Sequence, residues 1–425
     1  MNNRILQALR IRQFSFLLAA EFFSQIAMNV FNFALLIVVF SVANSNTAVS
    51  IVVLMFTLPS IIFGIFAGVL VDTWNKRNVL LLTNILRALV IFPLAFFHSN
   101  LLLIYLATFL VSLVTQFFIP AETPIIPKLV DKELLLPANA LFSMGIYASL
   151  FIAYALSGPI LVVFGKSNIF LFLTSCFLIA AFFTYLIKKE VAKKELSERR
   201  GENTLPDIMS EAKTAFSLIS KTKNIYHALF SLALAQIIIL SLAVVGPGYA
   251  EHVLNIKVED FPLFFVTPAV VGIAIGAVII GNYFHKHSKP NLTKFGLLVS
   301  GVAILLLPFG DKVESRNFVQ VINNFLPHFL TINILHIMVV LAFVLGFASA
   351  FVFIPANTIL QEETSDEVRG KIYGVLNSLV GAVSLIPVLI VGGLADVIGV
   401  KAVITDVGLV IIMIALIRIL ITDRG

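Results

Sequence analysis

The sequence predicts an all-α membrane protein of twelve transmembrane helices arranged in two six-helix halves. Three observations predict it: twelve apolar segments each about as long as a bilayer crossing, a strong imbalance of cationic residues between alternate connections, and a short stretch repeated at equivalent points of the two halves. With 59% hydrophobic residues, 12% charged residues and a mean hydropathy of +1.03, the chain carries more apolar side chain than a water-soluble globule can hide. Lipid must therefore be the solvent.

A hydrocarbon core of about 30 Å takes roughly 20 apolar residues per helix. On that measure the spans fall near residues 14–43, 48–71, 78–97, 101–119, 138–164 and 168–187, then 225–248, 261–283, 292–309, 329–354, 371–393 and 400–421. Helices are the expected spanning element because a backbone in lipid must satisfy its own hydrogen bonds, and these runs exceed the strands of a membrane barrel. The short basic lead at the N-terminus runs into an apolar stretch longer than a signal-peptide core, so it reads as the start of the first helix.

The halves are residues 1–187 and 225–425, joined by a polar gap at 188–224. Lys188 to Gly201 is charge-rich. Thr204, with Asp207 three residues later, reads as the cap of an amphipathic helix carrying Ile208, Ala212, Phe216 and Ile219 on one side. Such a helix is expected on the cytoplasmic membrane surface, the alternative being a solvated loop. Asp311 to Pro327 is the long external loop, with Phe318, Val321, Ile322 and Phe325 suited to the interface.

An even number of spans puts both termini on one side. That side collects 23 of the 29 Lys and Arg residues, among them Arg4, Arg10, Arg12, Lys128, Lys132, Lys286, Lys289, Lys294, Lys371 and Arg424, against five on the other (Lys166, Lys257, Lys312, Arg316 and Lys401). The imbalance places both termini in the cytoplasm and the chain in a cytoplasmic membrane. The net charge of +6 is thus mostly topology and contact with anionic lipid, with no nucleic-acid partner implied. The lone Cys176 excludes an intrachain disulfide and a clustered thiolate metal site. No P-loop, zinc-type His and Cys spacing or Gly-x-Ser-x-Gly elbow is present, so neither a cofactor nor an enzyme is expected.

After the fourth span stands Phe118-Ile119-Pro120-Ala121, then Thr123 and Asp131; after the tenth stands Phe353-Ile354-Pro355-Ala356, then Thr358 and Asp366, at one offset that continues from Leu141 and Ser143 to Leu376 and Ser378. Identities at equivalent points of the two halves indicate duplication.

The first span carries the most pronounced polar stripe. Glu21, Gln25, Asn29 and Asn32 fall on one helical face. At 1.5 Å per residue, Glu21 lies about 10 Å deep. A carboxylate there is expensive and should face water or a partner. Two readings stand: a proton-coupling group sharing a cavity with substrate, or a structural hydrogen bond between helices. Arg87, near mid-depth of the third span, is expected to pair with Glu21 or Glu122.

Between the second and third spans lies Gly68-Val-Leu-Val-Asp72-Thr-Trp-Asn-Lys76-Arg77. This resembles the signature loop of the major facilitator superfamily. The stretch Phe118 to Leu141, with Gln361, Arg369-Gly370-Lys371 and Ile386-Pro387 through Gly392-Gly393-Leu394-Ala395-Asp396, is similar to the branch of macrolide-efflux and siderophore-export (enterobactin-exporter-like) proteins. The resemblance implies the twelve-helix major facilitator fold. It assigns Gly68, Asp72, Lys76, Arg77 and Arg369 to a cytoplasmic gate between the halves, although Ile280 stands where the second-half copy, Gly276-Ala-Val-Ile-Ile280, should carry its acid. Ser157-Gly158-Pro159 is a partial match to an exporter motif that bends the fifth helix, without the glycines expected at Leu161 and Val162, and Pro159 reads equally as an ordinary kink; Pro387 is a further bend. The resembled fold lines its cavity with helices 1, 4, 7 and 10, which adds Thr108, Ser112, Gln116, Gln236 and His336 as candidates, with Phe22, Phe33 and Phe117 for an apolar pocket. Gln116 stands near where many proton-coupled relatives carry an arginine, so coupling is not carried over from them.

The expected function is secondary active export of a moderately hydrophobic small molecule by alternating access, driven by protons, in a monomer. The alternatives are a lipid or lysophospholipid flippase and a non-transporting membrane receptor or scaffold.

Overall fold

The computed structural model describes residues 4–188, 222–284, 287–310, 333–363 and 366–422. Every regular element among the described residues is a helix, as a backbone without water requires. A short helix, Arg4–Arg10, leads into α1 (Arg12–Ala43), α2 (Asn46–Thr73), α3 (Lys76–Ile91) and α4 (Leu101–Glu122). The next element, Leu135–Tyr185, runs for 51 residues, but Gly165 inside it has φ 72° and ψ 171°. That left-handed conformation suits a residue with no Cβ and divides the element into α5 (135–164) and α6 (166–185). There follow α7 (Lys223–His252), α8 (Thr267–Tyr283), α9 (Lys289–Leu306), α10 (Ile334–Glu362), α11 (Asp366–Ile398) and α12 (Val400–Thr422). Eleven stretches of described residues are each long and apolar enough to cross a bilayer. The turn at Gly165 falls inside one of them, so α5 and α6 count separately and twelve long helices result. The predicted amphipathic helix after Thr204 and the external loop from Asp311 to Pro327 lie outside the described residues.

The apolar runs locate every long helix, and the helices mostly overshoot them by a few residues, because hydrogen bonding continues past the last apolar side chain. The largest departure is α10, expected at 329–354 and found at Ile334–Glu362. Its start is fixed by Asn333, whose side chain accepts from the His336 N–H. Its end runs past Pro355, since a membrane helix tolerates an interior proline. The matching Pro120 also sits inside α4, yet α4 stops at Glu122. Pro124 and Pro127 follow in the first copy, and the chain there makes a 3-10 turn, Thr123–Ile125, and one α-turn, Ile126–Leu129. Ile359 and Glu362 stand at the corresponding positions of the second copy and leave the helix unbroken. The third span is also interrupted, with a helical turn at Leu94–Phe97 beyond Pro93.

The chain forms two compact units. Unit 1 comprises Met1–Val42 and Leu54–Lys213; unit 2 comprises Ala43–Val53 and Thr214–Gly425. The first two turns of α2 therefore cluster with the second unit although they lie early in the sequence. In unit 1, Phe14, Leu17, Val71, Leu80, Phe118, Ile126 and Phe142 form a buried cluster. Large side chains such as Leu82, Leu89, Phe96, Leu102 and Leu106 are exposed on α3, α4 and their connection, as lipid contact allows.

In unit 2, Ile225, Leu229, Leu232, Ile359 and Leu360 pack together, and Ile280, Leu292, Ala350 and Phe351 form a second cluster. Ile280, the residue in place of an acid, is thus a packed core side chain. Helices α8 and α10 approach so closely that a Cβ on Gly346 would lie 1.8 Å from the Ala269 carbonyl oxygen, whereas one on Gly281 would meet nothing within 4 Å. Backbone cannot yield as a side chain tip can. Gly346→Ala is expected to cost about 2 kcal/mol or more of stability through overpacking, and Gly281→Ala to be neutral or mildly stabilising, as read by thermal unfolding of the detergent-solubilised protein.

Candidate functional site

Unit 1 buries Glu21 and Arg87 where α1, α3, α4 and α6 meet. The 3.6-residue period puts Glu21, Ser24 and Gln25 of α1 on adjacent positions of one face, and Asn84 and Arg87 on one face of α3. Glu21 is 2% exposed and Arg87 1% exposed. Arg87 Nη1 donates to Ser24 Oγ at 3.1 Å, Ser24 Oγ donates to Asn84 Oδ1 at 2.9 Å, and Asn84 Nδ2 donates to the Leu80 carbonyl at 3.0 Å. The guanidinium carbon lies 4.2 Å from the centroid of Phe118 on α4 and 5.6 Å from that of Phe177 on α6, close enough for the ring faces to attract the cation.

Glu21 accepts a hydrogen bond from Gln25 Nε2 at 2.7 Å, and Asn29 Nδ2 donates to the Gln25 carbonyl at 2.8 Å. Glu122, at the end of α4, stands close enough to Glu21 for the two carboxyl groups to act on each other. Two acids beside one guanidinium would sum to zero charge with a single proton between them, the least costly state for a site withdrawn from water. Both carboxyl groups act on Arg87 electrostatically, yet the hydrogen bond of the guanidinium goes to Ser24. Arg87 Nε and Nη2 and Glu122 Oε2 are buried without a hydrogen-bond partner. The contacts of Arg87 are thus a hydroxyl and two rings, and the expected pairing with Glu21 or Glu122 is not a direct bond.

The other sequence candidates are dispersed. Asn32 is partly buried with Oδ1 unpartnered. Thr108 is fully buried and bonds back to the Ile104 carbonyl. Ser112 donates to the Phe56 carbonyl of α2, and Gln116 donates to the Ser112 carbonyl at 3.2 Å. Gln236 is half-buried on α7. His336 is exposed in the first turn of α10, its ring Nδ1 2.7 Å from Asn333 Oδ1, because that helix begins only at Ile334.

In the loop assigned to gating, Lys76 Nζ donates to the Val71 carbonyl at 2.6 Å. Arg77 donates through Nε to the Ile187 carbonyl at 3.1 Å and through Nη2 to the Tyr185 carbonyl, with its guanidinium 5.3 Å from the Tyr185 ring centroid. Each base therefore serves carbonyls at the C-terminal end of a helix, where cations are favoured. Gly68 has open space beside it. The side chains of Asp72 and Arg369 lie outside the described residues. Pro159 and Pro387 sit inside α5 and α11, with Gly158 buried beside Pro159. No group of three or more His, Cys, Asp or Glu residues suited to a metal ion occurs among the described residues.

The family model described as Major Facilitator Superfamily matches residues 17–322. The chain belongs to this family. It is similar to the uncharacterized MFS-type transporter YfmI of Bacillus subtilis (strain 168), 24% identical over 413 residues that cover 93% of each chain. It is similar also to the uncharacterized MFS-type transporter YfiS of the same organism, 20% identical over 388 residues covering 90% of this chain and 86% of that protein. Among solved structures, a mutant of the nucleoside transporter NupG superposes with a TM-score of 0.74 at 12% identity, over 96% of this chain and 99% of that one. A POT family transporter in complex with 5-aminolevulinic acid gives 0.69 at 13% identity, over 97% and 96%. At these identities the structures share the fold. The chain is an integral membrane protein and a membrane transporter of the MFS type.

Sequence reasoning singled out Glu21, Arg87 and Glu122 and missed Ser24 and Asn84, which connect α1 to α3. Their only signal was spacing: Ser24 lies three residues after Glu21, and Asn84 three before Arg87. Arg87→Met keeps the bulk but leaves the two carboxyl groups without their cation, and is expected to cost about 3–5 kcal/mol. Adding Glu21→Gln should recover part of that loss, with a coupling of about 1 kcal/mol or more in a double-mutant cycle of thermal stability; additive losses would refute the cluster.

Proposed function

We propose that this transporter exports a moderately hydrophobic small molecule across the cytoplasmic membrane by alternating access, coupled to inward movement of protons, with both termini in the cytoplasm and a monomer as the working unit. The observation that carries the reading is the buried Glu21, Glu122 and Arg87 cluster. Intramembrane ionisable groups are expensive and mark ion pathways, and two neighbouring carboxyl groups beside a fixed cation can take up and release a proton. The excess of Lys and Arg on the side of the termini supports the orientation. The motif resemblance to macrolide-efflux and siderophore-export proteins supports export and the substrate class.

In this mechanism Arg87 holds the local field constant while one proton leaves or joins the carboxyl pair. Gln25 stays bonded to Glu21 and keeps its carboxyl oriented along the polar stripe. Ser24 and Asn84 fix the guanidinium, so the charge balance shifts at the carboxyl groups.

The test is growth inhibition by a panel of macrolides, dyes, chelators and siderophores in an efflux-deficient host. Wild type should protect against at least one class, and a well-expressed Glu21→Gln variant should lose most of that protection, as expected when a required protonation step is removed. Protection retained by Glu21→Gln would overturn proton coupling at this residue. No protection by wild type present in the membrane would overturn drug export, and movement of labelled lipid between leaflets in proteoliposomes would then replace it.

A further inference from the structure

Unit 2 gathers cations at the ends of α7, α9 and α12 that lie on the side of the termini. On α7, Lys223, Tyr226, His227, Phe230 and Ser231 recur at the i, i+3, i+4, i+7, i+8 spacing of one helical face. The rings of Tyr226 and Phe230 stack with centroids 6.4 Å apart. Against this stripe lies Arg418 of α12. Its Nη1 donates to Ser231 Oγ at 2.6 Å and its Nη2 to the His227 carbonyl at 3.4 Å, with the guanidinium carbon 5.6 Å from the centroid of Phe230.

Lys294 of α9 completes the group. Arg418, Lys294 and Lys223 all stand close enough to His227 to act on it electrostatically, and each of the three is a cation. Lys294 is 7% exposed. It donates to the neutral Asn291 Oδ1 at 3.2 Å and makes no ion pair among the described residues. Glu362 and Glu363, at the end of α10, are engaged elsewhere: Glu362 pairs with Lys289 at 2.6 Å, and Glu363 accepts from Asn224 at 2.7 Å. A buried ammonium held beside like charges is costly unless an anion joins it.

Three helices bring these groups to one level. His227 follows the start of α7 at Lys223, Lys294 follows the start of α9 at Lys289, and Arg418 precedes the end of α12 at Thr422. At 1.5 Å per residue each lies about 6–8 Å inside its helix, near the boundary between headgroups and hydrocarbon. From that level an apolar face of α12 runs towards the middle of the span, with Leu420, Ile417, Leu416 and Met413 exposed at helical spacing. Tyr226 is exposed at the same level, where its ring and hydroxyl suit the membrane interface.

We propose that this part of unit 2 binds an anionic phospholipid of the adjacent leaflet, with the phosphate held among Lys294, His227 and Arg418 and one acyl chain along Leu420, Leu416 and Met413. A general excess of surface cations keeps its ammonium groups in water. Here Lys294 is withdrawn from water, and Arg418 is fixed by two hydrogen bonds and a ring. Free phosphate is the poorer occupant, because it gains nothing from the exposed apolar face beside the cations. Such a site is independent of what the transporter carries.

The test is native mass spectrometry of the detergent-solubilised full chain, titrated with phosphatidylglycerol or with zwitterionic phosphatidylcholine. One phosphatidylglycerol should be retained roughly tenfold more tightly than phosphatidylcholine, and Lys294→Gln should weaken it roughly fivefold, the factor for about one cation at an anionic lipid. Lys223→Gln should act in the same direction and decides the matter if Lys294→Gln does not fold. Lys132→Gln removes the same charge from an exposed position of unit 1 and should leave retention unchanged. Equal retention of the two lipids overturns the site, as does retention that neither Lys294→Gln nor Lys223→Gln weakens. An equal loss in Lys132→Gln also overturns it, since the effect would then be diffuse charge. Full displacement of the lipid by glycerol phosphate overturns it in favour of a soluble anion with no role for the acyl chain.

Discussion

The need to satisfy every backbone amide without water governs this molecule. It leaves the helix as the only described regular element and confines irregular backbone to places where something else supplies the missing bond or the missing space. Gly165 turns the chain between α5 and α6 in a left-handed conformation, and Pro124 and Pro127 are accommodated in a short 3-10 and α-turn segment after α4. Polar side chains obey the same requirement. Thr83, Thr108, Thr174 and Thr184 each return their hydroxyl to the carbonyl one turn earlier, which satisfies those hydroxyls among apolar neighbours.

A buried ion deep in a span cannot be satisfied so locally, and Glu21, Glu122 and Arg87 accordingly lie together. Arg87 draws on four helices: a hydroxyl from α1, ring faces from α4 and α6, and the position of its own helix. Such an arrangement fixes how these helices pack, because a shift of any one exposes a cation to hydrocarbon. The carboxyl pair stands at the edge of the same cluster, where a change in charge is felt by every helix that touches the arginine.

The helices themselves were legible in the sequence because length and apolarity are local properties. Boundaries were less so: α10 starts later and ends later than its apolar run because Asn333 caps it and Pro355 does not stop it. The charged members of the cluster could be found, since Glu and Arg inside a span are conspicuous by cost alone. Ser24 and Asn84 could not, because small polar residues are common in membrane helices and only packing reveals which ones face an ion. The loop bases Lys76 and Arg77 were read by resemblance as gate residues, and their observed contacts are with helix-terminal carbonyls. The bonds from the Asn46 and Thr47 N–H groups of α2 to the Asp396 carboxylate of α11 were hidden for a different reason, since some 350 residues separate the partners with no pattern to connect them.

The contacts of Arg77 bear on how the chain is made. By holding the carbonyls of Tyr185 and Ile187, this residue fastens the exit of the sixth helix to the entry of the third, and both lie within the first 188 residues. A nascent chain can therefore close its first unit around Arg87 while the second is still on the ribosome. The beginning of α2 is the exception, since the Asp396 carboxylate that accepts from its first N–H groups is synthesised some 350 residues later. Order of synthesis thus leaves that one helix end dependent on water, lipid headgroups or the insertion machinery until α11 arrives.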